Sequence, residues 1–511
     1  MRAAVIDIGS SSTKLAIGEQ DGEQVRIVEN LRNFIDIGTN TFFKGRISQD
    51  IINQTIGILE NYKAVIKQYE VNDVRVIATT AVREAENKDV FLDTVFRKTG
   101  FRIEVFNVGD IVYYIDAFLA YTLKDEYPIH ERNVLIAELG AGSLDISMME
   151  KGFTLVNLGI ATGTLRLEQF KNSIEGTNEE IYRALDEYVE QQVLSVKKAN
   201  PNLKVDDIIL IDESHASTLQ ALLPGKDRDA GFFKLKYREA RQFLAKVTEN
   251  NLDDLGYKYH LPPAAMASID VFAISILKLF KLVKNRHIFL LKTSLSQAIL
   301  VNILFGIEMA KRYNKVNQLI SVVKFIGKKY NVDLRHNKFV ADLTEQMFNQ
   351  LKDALGLRDE DRLYVILAAY LHNIGIFINN RASHKHAEYI ISSLSLFRLT
   401  DQEIKMIACI ARYHRKSAPH KTHFLYNSLP EDSQILVQKL SSILRITNAL
   451  DSSHKQKIKK LEVITNHGQD IRLVVRTQDD FVLEKTSFMD KKDLFEEISG
   501  SRIRLVVQHQ E

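Results

Sequence analysis

At 511 residues the chain exceeds what one hydrophobic core supports, and its length points to about three or four domains. Apolar residues are 45% and charged residues 26% of the sequence, a balance that excludes a disordered or low-complexity chain. The net charge of +3 excludes polyanion binding by bulk charge, so any such affinity must come from local clustering. The lone cysteine, Cys409, excludes an intrachain disulfide framework and fits a cytoplasmic setting.

The N-terminal MRAAVIDIGSSSTKLAIGE lacks the apolar core of a signal peptide. It predicts a strand over Arg2 to Ile8, a turn at Gly9-Ser10-Ser11-Ser12 and a second strand over Lys14 to Gly18. Leu59 to Tyr69 has helical periodicity, and Val74 to Ala78 reads as a buried strand. From near Glu131 the first layout recurs: a strand over Asn133 to Ala137, the acidic Glu138, a turn at Gly140-Ala141-Gly142-Ser143, and a strand over Leu144 to Met149. Two such hairpins about 130 residues apart predict two copies of one domain facing each other across a cleft. Ile288 to Phe305 is the most apolar stretch, but Lys292, Ser294, Ser296, Gln297 and Asn302 interrupt it. It predicts a strand running into a helix, not a membrane span. Helical periodicity then dominates to about residue 455. Strands are expected over Lys460 to Ile464, Ile471 to Val475 and Ile503 to Val507, with a helix near Lys491 to Ile498. The expected domains are 1–128, 129–302, 303–455 and 456–511.

Particular segments go further. Asp7-Ile8-Gly9-Ser10-Ser11-Ser12, Ala78-Thr79-Thr80-Ala81-Val82-Arg83-Glu84-Ala85-Glu86-Asn87, Glu138 to Asp145, and Gly163-Thr164-Leu165-Arg166-Leu167 occur in the first half. His384-Lys385-His386, Ala411-Arg412-Tyr413-His414-Arg415-Lys416, Ile443-Leu444-Arg445-Ile446 and Ala449-Leu450-Asp451 follow. In that order they resemble markers of the exopolyphosphatase/guanosine pentaphosphate phosphohydrolase family of the actin-like superfamily. The resemblance implies an α/β chain: two actin-like (ribonuclease H-like) units, an all-α HD-like domain and a small α+β C-terminal domain. It also implies Mg²⁺-dependent removal of terminal phosphates from inorganic polyphosphate or guanosine pentaphosphate, by a homodimer that needs neither membrane nor nucleic acid.

Phosphoanhydride hydrolysis needs donors for phosphate oxygens, a cation to offset their charge, and a carboxylate to orient or deprotonate water. Small residues in the two turns let backbone N–H groups face phosphate, which makes Ser10, Ser11, Gly140, Gly142 and Ser143 candidate binders; the same residues would also serve simply to shape hairpins. By the resemblance, Arg83 is the expected phosphate clamp, and Asp7 and Glu138 the expected metal ligands. The family has Asp where Glu138 stands and Glu where Asp145 stands, so each reach changes by one methylene. The family's water-activating Glu pair aligns with Ile111 and Val112, leaving Asp110 as the nearest substitute and Asp145 as a second candidate. A glycine-rich family loop aligns with Asp212 to Ser217, where an acidic pair is expected to repel phosphate, and an Arg-Glu-Gly aligns with Ser296-Gln297-Ala298.

In the helical domain, HD-type metal ligation would need a His, a His-Asp pair and a later Asp. His336 and His372 are present, but Asn373 and Asn448 stand at the acid positions, and an amide brings no charge to a metal. No working metal site is expected there. His384, Lys385, His386, Arg412, His414, Arg415 and Lys416 are expected to form a cationic surface that tracks polyphosphate. They could equally be solvated helix faces, and no aromatic-interleaved RNA motif accompanies them. Two functions stay open: a phosphoanhydride hydrolase, or an impaired relative that binds the same ligands as a regulator.

Overall fold

The first hairpin forms where apolar alternation meets a turn of small residues. Strand β1 (Arg2–Ile8) is buried at its centre, with Ala3 to Ile6 inaccessible to solvent. It pairs antiparallel with β2 (Ser12–Asp21), and β3 (Gln24–Phe34) continues the meander. β4 (Asp73–Ala78) and β5 (Ile103–Val105) then add in parallel on the other side of β1, giving the order β3-β2-β1-β4-β5. The computed structural model describes residues 1–200, 202, 204–225, 227, 230–261, 263–415, 417–466 and 470–509. They separate into two units, Met1–Lys315 and Val316–Glu511.

A second sheet in the first unit repeats this plan. β6 (Asn133–Leu139), β7 (Leu144–Glu150), β8 (Phe153–Ile160), β9 (Asp207–Ile211), β10 (Phe232–Lys236) and β11 (His287–Leu291) lie in the order β10-β11-β9-β6-β7-β8. The two hairpins pair in the same register. Asp7 faces Lys14 across the first, and Glu138 faces Asp145 across the second. In the turns, the Gly9 N–H donates to the Ser12 carbonyl at 3.0 Å and the Gly140 N–H to the Ser143 carbonyl at 2.9 Å. One apolar cluster takes residues from both sheets, including Val5 and Ile209, together with the helices Val108–Thr122 and Leu295–Arg312.

The Leu295–Arg312 helix spans the expected 302/303 boundary. It continues through that point to a kink at Phe305 and beyond, and Leu295, Ala298, Ile299, Leu304 and Phe305 bury themselves against the Val108–Thr122 helix and its neighbours. The unit ends only after Tyr313, which is itself 1% exposed.

The second unit is helical through Glu431–Ala449. A three-stranded sheet follows: β12 (Ile458–Asn466), β13 (Asp470–Thr477) and β14 (Arg502–His509). β13 and β14 are parallel, and two helices, Val482–Met489 and Asp493–Ser499, make the crossover where one was expected. Among the described residues no helix is long and apolar enough to cross a membrane.

Candidate active site

The two small-residue turns meet in the first unit. A Cβ on Gly142 would lie 2.8 Å from Ser10 Oγ and 2.9 Å from Thr80 Cβ, so only glycine permits this approach. Thr80 Oγ1 lies 3.0 Å from Ser143 Oγ, joining the β4 end to the second turn. The carbonyls of Gly140 and Ala141 accept from Thr164 and Leu165 at 2.9 and 3.0 Å, which fixes the second turn on the start of the Thr164–Ser173 helix. Among the described residues no backbone carbonyl accepts from the N–H groups of Ser10, Ser11, Ala141 or Gly142. All four residues line a cavity of about 390 Å³. Paired turns with unspent amides facing one cavity make an anion-binding concavity.

Its charge is the opposite of what the turns suggest. The lining holds six carboxylates, Asp7, Glu138, Asp145, Glu168, Asp212 and Glu213, against the cations Lys14 and Arg32. Burial pushes the Asp7 carboxyl up, and Lys14 partly offsets it. Burial and then Asp145 push Glu138 up; burial likewise raises Asp145, against the pull of Arg83. Asp7 Oδ1 and both Asp145 oxygens are buried without a hydrogen-bond partner. Such a group of acids holds either protons or a cation. Among the described residues no three His, Cys, Asp or Glu side chains close on one point as a complete metal shell. Mg²⁺ does not require one, since it is usually held by one or two carboxylates, several waters and substrate phosphate. The orphaned oxygens of Asp7 and Asp145, with Glu138 beside them, fit that donor set.

The structure distributes the other expected residues differently. Arg83 does not line the cavity. Its guanidinium donates to the Phe106 carbonyl at 2.7 Å and to Thr80 Oγ1 at 3.1 Å. It therefore braces the segment after β5, holds Thr80 at the cavity wall and lowers the raised Asp145 carboxyl electrostatically. Asp110 forms a capping box at the start of Val108–Thr122: it accepts from the Asn107 N–H at 3.2 Å, and its own N–H donates to Asn107 Oδ1 at 2.9 Å. It does not line the cavity, whereas Ile111 does, beside Glu138 and Asp145. Behind Ile111 a space of about 10 Å³ is shared by Glu138, Asp145, Ser147 and Asp116. Asp116 is fully buried and accepts from Ser147 Oγ at 2.6 Å and Thr154 Oγ1 at 2.8 Å; burial pushes its carboxyl up to about 7. Asp212 accepts from the Ala216 N–H at 2.8 Å and lies 3.0 Å from His215 Nδ1, and Glu213 pairs with Lys14 at 3.2 Å. The acidic loop is thus largely spent within the protein. Sequence reasoning missed Lys14 and Arg32. The signal for Lys14 was its place in the hairpin, directly across from Asp7.

In the helical unit the expected cationic surface divides. His414 is buried, with Nδ1–H donating to the Ala411 carbonyl at 2.6 Å, and burial holds its ring well below the usual imidazole range. Arg412 is paired with Glu388. Lys385 is exposed, while His384, His386 and Arg415 are partly buried; Lys416 lies outside the described residues. His336 Nδ1–H donates to Asp451 Oδ2 at 2.7 Å and His372 Nδ1–H to the Ala369 carbonyl at 2.7 Å. Asn448 Oδ1 lies 3.2 Å from both Nε2 atoms. Burial and then His336 push His372 down to about 3. The Asn448 side-chain amide thus bridges the two imidazoles.

Three comparisons bear on this arrangement. The family model described as Ppx/GppA phosphatase family matches residues 20–205, and that for Ppx/GppA phosphatase, domain III, matches residues 320–497. A guanosine-5'-triphosphate,3'-diphosphate pyrophosphatase of Aliivibrio fischeri (strain MJ11) is 19% identical over 479 residues, covering 90% of this chain and 88% of that protein. The crystal structure of the Aquifex aeolicus member of the Ppx/GppA protein family aligns with a TM-score of 0.51 at 24% identity, over 60% of this chain and 98% of that one. An exopolyphosphatase from Cytophaga hutchinsonii aligns with a TM-score of 0.53 at 17% identity, over 60% of this chain and 98% of that one. These two likenesses establish the fold.

Proposed function

The chain belongs to the Ppx/GppA phosphatase family, and from that premise we propose that it binds the phosphoanhydride end of inorganic polyphosphate or guanosine pentaphosphate as a Mg²⁺ complex and hydrolyses it slowly. One observation supports the reading: residues with unspent turn amides and residues with partnerless carboxylate oxygens line the same cavity. Relatives are named for a pyrophosphatase acting on the guanosine compound and for exopolyphosphatase.

In this reading the amides of Ser10, Ser11, Ala141 and Gly142 hold the terminal phosphoryl oxygens, with Lys14 and Arg32 adding charge. Asp7 and Glu138 would hold Mg²⁺, with Asp145 adding negative charge beside them; the metal when bound would offset phosphate charge and polarise the scissile anhydride. Without a divalent cation the carboxylates repel the ligand, so binding requires the metal. Attack by water releases phosphate and leaves a chain one phosphate shorter, the water's protons passing to solvent or to the acid cluster. Ile111 gives the water no base, and loss of a general base typically costs about 10²–10⁴ in rate. Ile111 also favours the second reading, a binding protein of the same fold with negligible turnover. Phosphate release from long-chain polyphosphate and from guanosine pentaphosphate, measured beside binding on one preparation with Mg²⁺ and then with EDTA, tests the proposal. Mg²⁺-dependent binding with slow release is expected. Failure of both ligands to bind with Mg²⁺ present refutes it.

A further inference from the structure

The cleft of the first unit holds a second constellation, which neither the turns nor the acid cluster uses. Asp212, His215 and Ser268 all line the cavity. Asp212 follows the last residue of β9, and its Oδ1 accepts from the Ala216 N–H at 2.8 Å, which fixes the carboxylate at the start of the Ser214–Leu222 helix. Its Oδ2 lies 3.0 Å from His215 Nδ1, and His215 Nε2 lies in turn 2.9 Å from Ser268 Oγ. The imidazole is stacked on Phe272, with ring centroids 4.7 Å apart and planes inclined by 19°, so its rotation is restricted as well. A carboxylate only accepts, so Nδ1 points its proton at Asp212. In the neutral ring Nε2 then accepts from the Ser268 hydroxyl.

Ser268 is half-buried and immediately precedes the Ile269–Leu279 helix. A serine in that place ordinarily caps the helix with its own oxygen. Here the side chain makes no capping bond, and the oxygen is turned to His215 instead. Hydroxyl, base and orienting acid, each within hydrogen-bond reach of the next, are the geometry of an activated nucleophile. The loop expected only to repel phosphate thus brings an imidazole to the cavity in which Ile111 supplies no base.

We propose that Ser268 is a nucleophile toward phosphorus, with His215 as its base and Asp212 as the positioning residue, and that it takes the terminal phosphoryl group of the chain held in the cleft. The identity of that chain rests on the cleft reading above; the activation of Ser268 does not. The Ser268 Oγ–P bond forms as the P–O bond to the rest of the chain breaks. The hydroxyl proton passes to His215 Nε2 and from there to the departing chain. Water later cleaves the serine phosphate, which releases orthophosphate and restores the hydroxyl. Phosphate monoesters are among the slowest bonds to hydrolyse, so the serine phosphate accumulates and phosphate release stays slow.

Two experiments on the full chain test this. In the first, a fluorophosphonate, a phosphorus electrophile that needs no Mg²⁺, is added in EDTA, and the labelled peptide is mapped by mass spectrometry. Labelling of Ser268 is expected, with fluoride as the leaving group and the proton leaving through His215. His215→Gln and Asp212→Asn are each expected to slow it by about a hundredfold or more, with circular dichroism confirming that both fold. Ser217→Ala, an exposed position on the same helix as His215, is expected to leave it unchanged. Ser268→Cys gives a second readout: iodoacetamide is expected to alkylate the new thiol, and to do so much more slowly once His215→Gln is added. The native Cys409 is buried, so alkylation reports on position 268. In the second experiment the parent chain is mixed with Mg²⁺ and long-chain polyphosphate or guanosine pentaphosphate and quenched in acid. One phosphoryl group on Ser268 is expected, and none in His215→Gln. The proposal is overturned if Ser268 is not labelled, if folded His215→Gln is labelled at the parent rate, or if both phosphoanhydrides bind and leave Ser268 unmodified. Labelling of Ser268 in a chain that binds neither phosphoanhydride sinks the cleft reading and upholds the activated serine.

Discussion

Replacing Ile111 by Glu asks directly whether turnover is limited by a missing base. Ile111 is 2% exposed and lies beside Glu138 and Asp145 at the cavity wall. Glu is close to Ile in volume, so the substitution changes charge more than packing. A carboxylate about 4–6 Å from a second one is repelled by roughly 3–4 kcal/mol at an effective dielectric near 20. Metal-free Ile111→Glu is therefore expected to lose about 3 kcal/mol of stability at pH 8 and to recover most of it at pH 5, where the new acid is protonated. Saturating Mg²⁺ is expected to restore stability at pH 8 by supplying the counter-charge. Under those conditions kcat on polyphosphate should rise by about 10²–10⁴, the range for a positioned general base, while affinity changes by less than about threefold. Denaturant unfolding with and without Mg²⁺, followed by steady-state phosphate release, measures both. A folded variant that Mg²⁺ still stabilises but whose kcat stays at the parent level refutes the reasoning, as does rapid turnover by the unmodified chain.

Asp110→Ala removes one side of a capping box and should cost about 0.5–2 kcal/mol in denaturant unfolding; a hundredfold loss of turnover would instead place its carboxylate in the reaction. Arg32→Gln should weaken Mg²⁺-dependent tripolyphosphate binding by about 1.5–3 kcal/mol, whereas Arg83→Ala should lower stability by a similar amount and affinity by less than about 1 kcal/mol; the reverse pattern would return the clamp to Arg83. Asp7, Glu138 and Asp145 bind protons more tightly folded than unfolded, so their contribution is fully present below the unfolded carboxylate range and is lost as pH rises through their raised values. The Mg²⁺-induced rise in melting temperature should accordingly grow between pH 5 and pH 8, and a pH-independent rise would show that these acids do not take the metal. Elemental analysis of chelator-free protein should find no stoichiometric transition metal in the helical unit; a metal that disappears in His372→Ala would contradict the amide bridge.

What the sequence revealed followed from local rules. Both hairpins were legible because apolar strands flank turns of small residues, and their recurrence made the cleft legible. β3 was missed because its residues are mostly exposed or half-exposed along an edge, which blunts the apolar signal. Asp110 could have been read correctly, since Asn107-x-x-Asp110 before an apolar run is a capping pattern. His414 follows directly on a buried helical stripe of Ile407 and Ile410, just past the helix end at Arg412. The partner of Arg83 could not be read, because a tertiary approach brings the Phe106 carbonyl to its guanidinium. The same holds for the Asn448 bridge, which depends on three helices meeting.

Two copies of one hairpin, left identical, would enclose a cleft with a twofold axis and no preferred sense. The residue across from the conserved-in-register acid removes that axis, being Lys14 in one copy and Asp145 in the other. One wall then carries an acid–base couple and the other an acid–acid couple. A ligand with a cation at one end of its reacting group and bare oxygens at the other can lie between such walls in a single orientation. The cleft thereby acquires polarity: its two walls differ in charge at the same register position.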